Sequence, residues 1–187
     1  MKRLPVIAAV LMSLALSVSG QVLSNETLNQ RIQQVHAEKQ INITLDAAAK
    51  TSKLMAVSEN FSKDDANRSG LLAMNFAIGY IYAGDALTAP PDPFMLSFWV
   101  LTKKPRFGIN HAMTVVLQEE MLVIGSARYA AKPGQQMEYL NFEISRENLA
   151  KIAAREEVRF MLGNEEFRFT KSQMKLLSDM LTITETR

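Results

Sequence analysis

The sequence predicts an α+β fold: an antiparallel sheet of about six to seven strands with two C-terminal helices on one face and a partly helical N-terminal extension. Large apolar residues alternate with small or polar ones through much of residues 71–144, and this is the period of β-strands. Apolar residues recur at helical spacing after Ser145 and after Thr170. The order strand, helix, hairpin, helix is typical of helices packed against an antiparallel sheet.

The start of the chain predicts a secretory signal. Lys2-Arg3 forms a basic start, residues 4–16 are apolar, and Val18-Ser19-Gly20 fits the small-residue rule for cleavage. The mature chain would then begin at Gln21. We therefore expect an exported protein, periplasmic or extracellular in a bacterium, with no transmembrane anchor after cleavage.

The pattern of polar and apolar residues divides the chain into three parts. We assign residues 1–20 to the signal, 21–67 to a polar, partly helical extension, and 68–187 to the α+β domain. Within the extension, the spacing predicts helices over residues 27–35 and 47–57 and a short strand over residues 41–45.

Turn and capping residues delimit the elements of the α+β domain. The apolar patterns predict strands over residues 74–82, 94–101, 112–118, 121–131, 140–144, 158–162 and 167–169. Gly163-Asn164 predicts a tight hairpin turn between the last two strands. Ser145 is a suitable N-cap for a first helix, and Thr170-x-x-Gln173 forms a capping box for a second one.

Four stretches resemble a group of exported bacterial proteins of unknown function. They are Gly79-Tyr80-Ile81-Tyr82-Ala83-Gly84, Ala89-Pro90-Pro91, Glu138-Tyr139-Leu140-Asn141-Phe142-Glu143-Ile144 and Val158-Arg159-Phe160-Met161-Leu162-Gly163-Asn164-Glu165-Glu166-Phe167. The resemblance covers roughly residues 71–182. It implies export and an α+β fold, and it brings no functional residues with it.

Composition excludes several classes of function. The chain has 21 basic and 19 acidic residues, and removal of Lys2 and Arg3 with the signal leaves 19 of each. A neutral mature chain has no general electrostatic attraction to nucleic acid, so we expect no nucleic-acid partner. The absence of cysteine excludes a disulfide framework, a thiol nucleophile and a zinc–thiolate site.

His111 is the main candidate for catalysis. As a general base it would need a carboxylate, such as Asp85 or Asp92, and a serine close to it in space. The chain has no G-x-S-x-G elbow, and its only other histidine, His36, lies in the extension. The alternative interpretation is that His111 is an ordinary histidine, hydrogen-bonded or facing solvent, without catalytic partners.

No metal or cofactor is predicted. Asp65-Ala66-Asn67-Arg68-Ser69-Gly70 matches the first half of a calcium loop, but Phe76 stands where the bidentate glutamate belongs. A turn that contains glycine explains the same residues without bound calcium.

Three cations lie close together in the sequence, at Lys103, Lys104 and Arg106, next to Phe107. This cluster could contact an anion such as a phosphate or a carboxylate, or touch a membrane surface. A solvated loop at the end of a strand is the alternative interpretation.

A second apolar face is the remaining candidate for a binding site. If the even-numbered residues of strand 94–101 face the core, Met95 and Trp99 face the other way, and Tyr139 and Met161 have the corresponding parity in their strands. Two explanations stay open. The face could bind a ligand or partner, or residues 24–57 could cover it as ordinary core.

The sequence therefore favours an exported, non-enzymatic binding or interaction module whose ligand is a protein partner or an apolar small molecule. The alternative is a hydrolase-type enzyme with a dispersed site around His111.

Overall fold

The structure of the chain is a computed structural model that describes residues 22–63, 69–118, 120–131 and 136–186. Its strands are β1 (Leu23–Ser24), β2 (Ile41–Asp46), β3 (Thr51–Val57), β4 (Leu71–Ala83), β5 (Ala86–Leu87), β6 (Phe94–Thr102), β7 (Ala112–Leu117), β8 (Glu120–Ser126), β9 (Arg128–Ala131), β10 (Met137–Ile144), β11 (Arg159–Leu162) and β12 (Glu165–Arg168). Its helices are α1 (Asn25–Gln34), α2 (Arg146–Ala153) and α3 (Lys171–Ile183). The predicted mixture of helices and antiparallel strands is confirmed. The predicted signal lies outside the described residues.

A six-stranded antiparallel sheet forms the larger layer, in the order β2-β3-β4-β6-β10-β9. Strand β4 lies between β3 and β6, and β6 pairs along its length with β10. Alternate side chains of these strands point to opposite faces. The face that carries Phe76, Phe98 and Phe142 joins the core, and we call it the inner face. The opposite one is the outer face.

A four-stranded sheet, in the order β12-β11-β7-β8, packs against the same core. The predicted antiparallel sheet of about six to seven strands is thus present as the six-stranded sheet, while β7, β8, β11 and β12, which were predicted to join it, form this second sheet. Strand β8 lies at the edge of the smaller sheet, and the chain passes through Ala127 into β9, which lies at the edge of the larger sheet. The hairpin predicted around residues 119–120 is thus present as the pair β7 and β8, and only the end of its second arm, predicted over residues 121–131, continues as β9 into the larger sheet.

Aromatic side chains join the two sheets. The ring of Phe160 in β11 lies 5.3 Å from that of Phe98 in β6 and 4.5 Å from that of Phe169. Phe61 contacts the same cluster, with its ring centre 5.6 Å from that of Phe160. Because such rings bury large apolar areas in a specific geometry, the cluster accounts for much of the packing between the sheets.

The two C-terminal helices begin where the capping residues predict. The Ser145 side chain accepts a hydrogen bond from Asn148 N at the start of α2, and Thr170 and Gln173 form the capping box of α3. Arg146 ties the helices together, since its guanidinium donates to the Leu181 carbonyl at 3.0 Å. Among the described residues, no helix is long and apolar enough to cross a membrane.

The predicted N-terminal extension supplies two strands of the six-stranded sheet, β2 and β3, together with β1 and α1. Residues 51–57, which we expected to be helical, form β3, because pairing on both sides with β2 and β4 buries Leu54 and Ala56. The predicted strand at residues 41–45 is β2. The helix predicted over residues 27–35 is α1, which begins two residues earlier with Ser24 as its N-cap.

Candidate functional site

The outer face of the six-stranded sheet is the main candidate site. Trp99 of β6 lies opposite Tyr139 of β10, and Met95 of β6 lies opposite Gly79 of β4 and Glu143 of β10. The register thus brings three of the four residues of the predicted face to one side of one sheet.

Met161, the fourth residue, does not belong to this face. It lies in β11 of the four-stranded sheet, where it pairs with Thr114 and Glu166. Its parity is that of an outward residue, but the prediction assigned it to the wrong sheet.

A groove of about 400 Å³ crosses the outer face. Its lining residues are Lys53, Met55, Ala77, Gly79, Tyr80, Ile81, Pro93, Phe94, Met95, Ser97, Trp99 and Glu143. The groove exists because β4 presents only Ala77 and Gly79 at its middle, while the neighbouring strands present Met55 and Met95. Small residues between larger ones leave a trough, and this volume falls within the usual range of about 300–1,000 Å³ for small-molecule sites.

Strands β3 and β4 approach each other so closely at position 79, on the groove floor, that only glycine fits there. A Cβ atom built on this glycine would lie 2.7 Å from the carbonyl oxygen of Leu54, which is backbone and has little freedom to move. Any side chain here would both displace β3 and fill the trough.

Residues 24–57, which the second explanation placed over this face, lie elsewhere. Strands β2 and β3 extend the sheet at its edge, and α1 packs beside α3, where Arg31 donates to the carbonyls of Ile183 and Glu185 at 3.1 and 2.6 Å. Ile81 is 62% exposed and Met95 36% exposed at the groove. The interpretation that residues 24–57 cover the outer face is therefore wrong.

Charged residues mark the two ends of the groove. Lys53 is exposed on β3, opposite Ile81. At the β10 end, Glu143 receives a hydrogen bond from Arg128 at 2.6 Å. The groove is thus apolar along its floor, with a lysine at one end and an ion pair at the other.

One of the three clustered cations is already paired with a carboxylate. The guanidinium of Arg106 pairs with Glu165 at 2.6 Å, so its charge is already compensated. Lys103 and Lys104 are exposed on the same loop. This arrangement agrees with the alternative interpretation of a solvated loop.

A buried carboxylate, Glu138, holds this loop in place. Glu138 is 1% exposed and accepts hydrogen bonds from the backbone N–H groups of Arg106 and Phe107 at 3.0 Å, from the Thr102 hydroxyl at 3.2 Å and from the Tyr129 hydroxyl at 2.9 Å. Glu138 is not among the residues predicted from the sequence. Its burial could have been predicted, since Glu138 has the same strand parity as the three inner-face residues Leu140, Phe142 and Ile144.

Tyr129 is the titratable group most affected by this network. Burial, and then the hydrogen bond to Glu138 and the charge of that carboxylate, raise the pKa of Tyr129 to about 12. The tyrosine therefore stays protonated and donates to Glu138 at all physiological pH values.

The structure brings His111 to Tyr129 and not to a predicted carboxylate partner. The two rings stack with their centres 5.8 Å apart, and His111 Nδ1 is buried without a hydrogen-bond partner. Asp92 instead accepts a hydrogen bond from Arg146 N at the start of α2, and Asp85 lies in the turn between β4 and β5. A general base needs a partner that orients it, and neither predicted aspartate does so.

Metal binding has no support in the part of the chain that the structure describes, where no three His, Asp or Glu side chains converge on one point. The first four residues of the possible calcium loop, 65–68, lie outside that part.

Comparisons with known proteins find one structural likeness. No family model matches the chain, and no curated protein matches it. The chain is similar to the solved structure of a novel protein of unknown function from Burkholderia pseudomallei K96243, at 11% identity and a TM-score of 0.34, over 84% of this chain and 95% of that one. At this TM-score the likeness assigns neither a fold family nor a function.

Proposed function

We propose that this protein is an exported, non-enzymatic binding module that holds an apolar small molecule in the outer-face groove. The observation that supports this proposal is the groove itself: an open, mainly apolar depression of about 400 Å³ on the face of the sheet opposite the core. Apolar surface left open on a folded domain is a common mark of an interaction site.

The concave shape favours a small molecule over a protein partner. A flat apolar face would suit another protein, whereas a trough with a narrow floor at Ala77 and Gly79 encloses a slender ligand. Met55 and Met95 flank this floor, and the flexible thioether side chain of methionine adapts to ligands of different shape.

A neutral apolar dye tests the groove directly. Nile red is expected to bind and to quench the emission of Trp99, the only tryptophan of the chain and part of the groove lining. Met95→Gln keeps the volume of the side chain but removes apolar contact, so it should weaken dye binding by about fivefold. Fluorescence titration of both proteins measures the two dissociation constants.

Met121→Gln is the matched control. Met121 is 67% exposed on β8 of the other sheet, so the same substitution there should leave dye binding unchanged. Unchanged Trp99 emission in the presence of the dye, or equal effects of the two substitutions, would refute the groove as the binding site.

We also propose that the protein is exported and belongs with the exported bacterial proteins that its motifs resemble. The basic start Lys2-Arg3, the apolar residues 4–16 and the small residues 18–20 support this proposal. When the full chain is expressed in a Gram-negative host, the intact mass of the periplasmic or secreted product should correspond to a chain that begins at Gln21. A full-length product that remains in the cytoplasm would contradict export.

A further inference from the structure

We infer that the ligand of the groove is a soluble, single-chain anionic amphiphile whose carboxylate head lies at Lys53 and whose hydrocarbon tail lies along the groove floor. This inference rests on the proposed function and adds the chemical class of the ligand. Three features of the groove support it: the charges at its ends, its length and the hydrogen bonds that its polar groups already make.

The two ends of the groove differ in whether their charged side chain is paired. Glu143, at the β10 end, is paired with Arg128 at 2.6 Å. Lys53, at the β3 end, forms no ion pair within the described residues. The groove therefore has one uncompensated cation at one end, and a ligand with an anionic group complements it.

The length of the groove floor sets the length of the tail. Lys53 lies opposite Ile81, and the floor runs from there along β4 past Gly79 to Ala77, between Met55 and Met95. Four residues of an extended strand, at about 3.4 Å each, give a path of roughly 14 Å. An extended hydrocarbon chain of medium length matches this path.

The polar side chains of Ser97 and Asn141, which lie beside the path, are already hydrogen-bonded to each other. Ser97 Oγ donates to Asn141 Oδ1 at 2.6 Å, so this pair needs no hydrogen bond from a ligand. A tail without polar groups can lie against it at little cost, whereas a ligand with polar groups along its length would gain no partner there.

A soluble ligand fits this face better than a membrane surface. Binding to anionic lipid needs several cations around an apolar patch. The described strands present two cations on the outer face, Lys53 and Arg128, and Arg128 is already paired.

The experiment compares three ligands with the same tail, namely dodecanoate, dodecanol and dodecyltrimethylammonium, by Trp99 fluorescence and calorimetry below their aggregation concentrations. Wild-type protein should bind dodecanoate most tightly. Lys53→Met keeps the apolar stem and removes the charge, so it should weaken dodecanoate binding by about fivefold and leave dodecanol binding unchanged.

Lys103→Met is the matched control, because Lys103 is an exposed lysine of the loop outside the groove lining. It should bind dodecanoate like the wild type. If Nile red binds but the three ligands bind equally, or Lys53→Met has no effect, the anionic head is refuted and the groove function stands. If neither the dye nor any amphiphile binds, both proposals fail. Flotation with phosphatidylglycerol vesicles without binding of free dodecanoate would also overturn the inference.

Discussion

Glu138→Ala is expected to lower the free energy of unfolding by about 3–5 kcal/mol, because it leaves buried hydrogen-bond donors without an acceptor. The carboxylate, which is 1% exposed, accepts from two backbone N–H groups and two hydroxyls. A loss of this size is a large part of the 5–15 kcal/mol that typically stabilises a domain. Urea unfolding at neutral pH measures it.

Tyr129→Phe provides the control for this prediction. It removes one of the four donors and keeps the ring that stacks on His111, so the expected loss is only about 1 kcal/mol. Amide hydrogen exchange adds a local readout, since Arg106 and Phe107 should exchange faster in Glu138→Ala alone. A loss below 1 kcal/mol for Glu138→Ala, with unchanged exchange at these two amides, would show that Glu138 does not anchor the loop.

Phe160→Ala is expected to destabilise the fold by about 3–5 kcal/mol, through lost burial and the cavity that remains. Phe160 is fully buried, and its ring packs between Phe98 of the six-stranded sheet and two rings of the smaller sheet's end, Phe167 in β12 and Phe169 directly after it. Because Phe61 still packs between Phe98 and Phe167, the two sheets can close into the cavity only in part. Thermal and urea unfolding both report the change.

Met121→Ala is a suitable reference for the second prediction, since Met121 is 67% exposed and its truncation should change stability by less than about 0.5 kcal/mol. Phe160→Leu keeps most of the volume and should lose less than Phe160→Ala. Equal stability of Phe160→Ala and the wild type would mean that the aromatic cluster does not couple the sheets.

The outer-face groove shows how far the sequence leads toward a site. Alternation along residues 94–101 places Met95 and Trp99 on the side opposite the core, and the register confirms that Trp99 lies against Tyr139. The trough itself could not be predicted, because it depends on Gly79 lying beside Met55 and Met95. Those neighbours come from pairing between strands, and parity neither shows which strands pair nor distinguishes registers that differ by two residues.

Local patterns in the sequence alone determined the strand faces, the caps at Ser145 and Thr170 and the turn at Gly163, because each depends on neighbours within a few residues. Tertiary structure alone decided which strands pair, and it therefore placed Met161 in the smaller sheet and Glu138 beside its four donors. It also made residues 51–57 a strand, since burial between two partner strands outweighs a weak helical pattern. The physical reason is range: caps and turns are satisfied locally, whereas pairing and burial are settled only when distant segments meet.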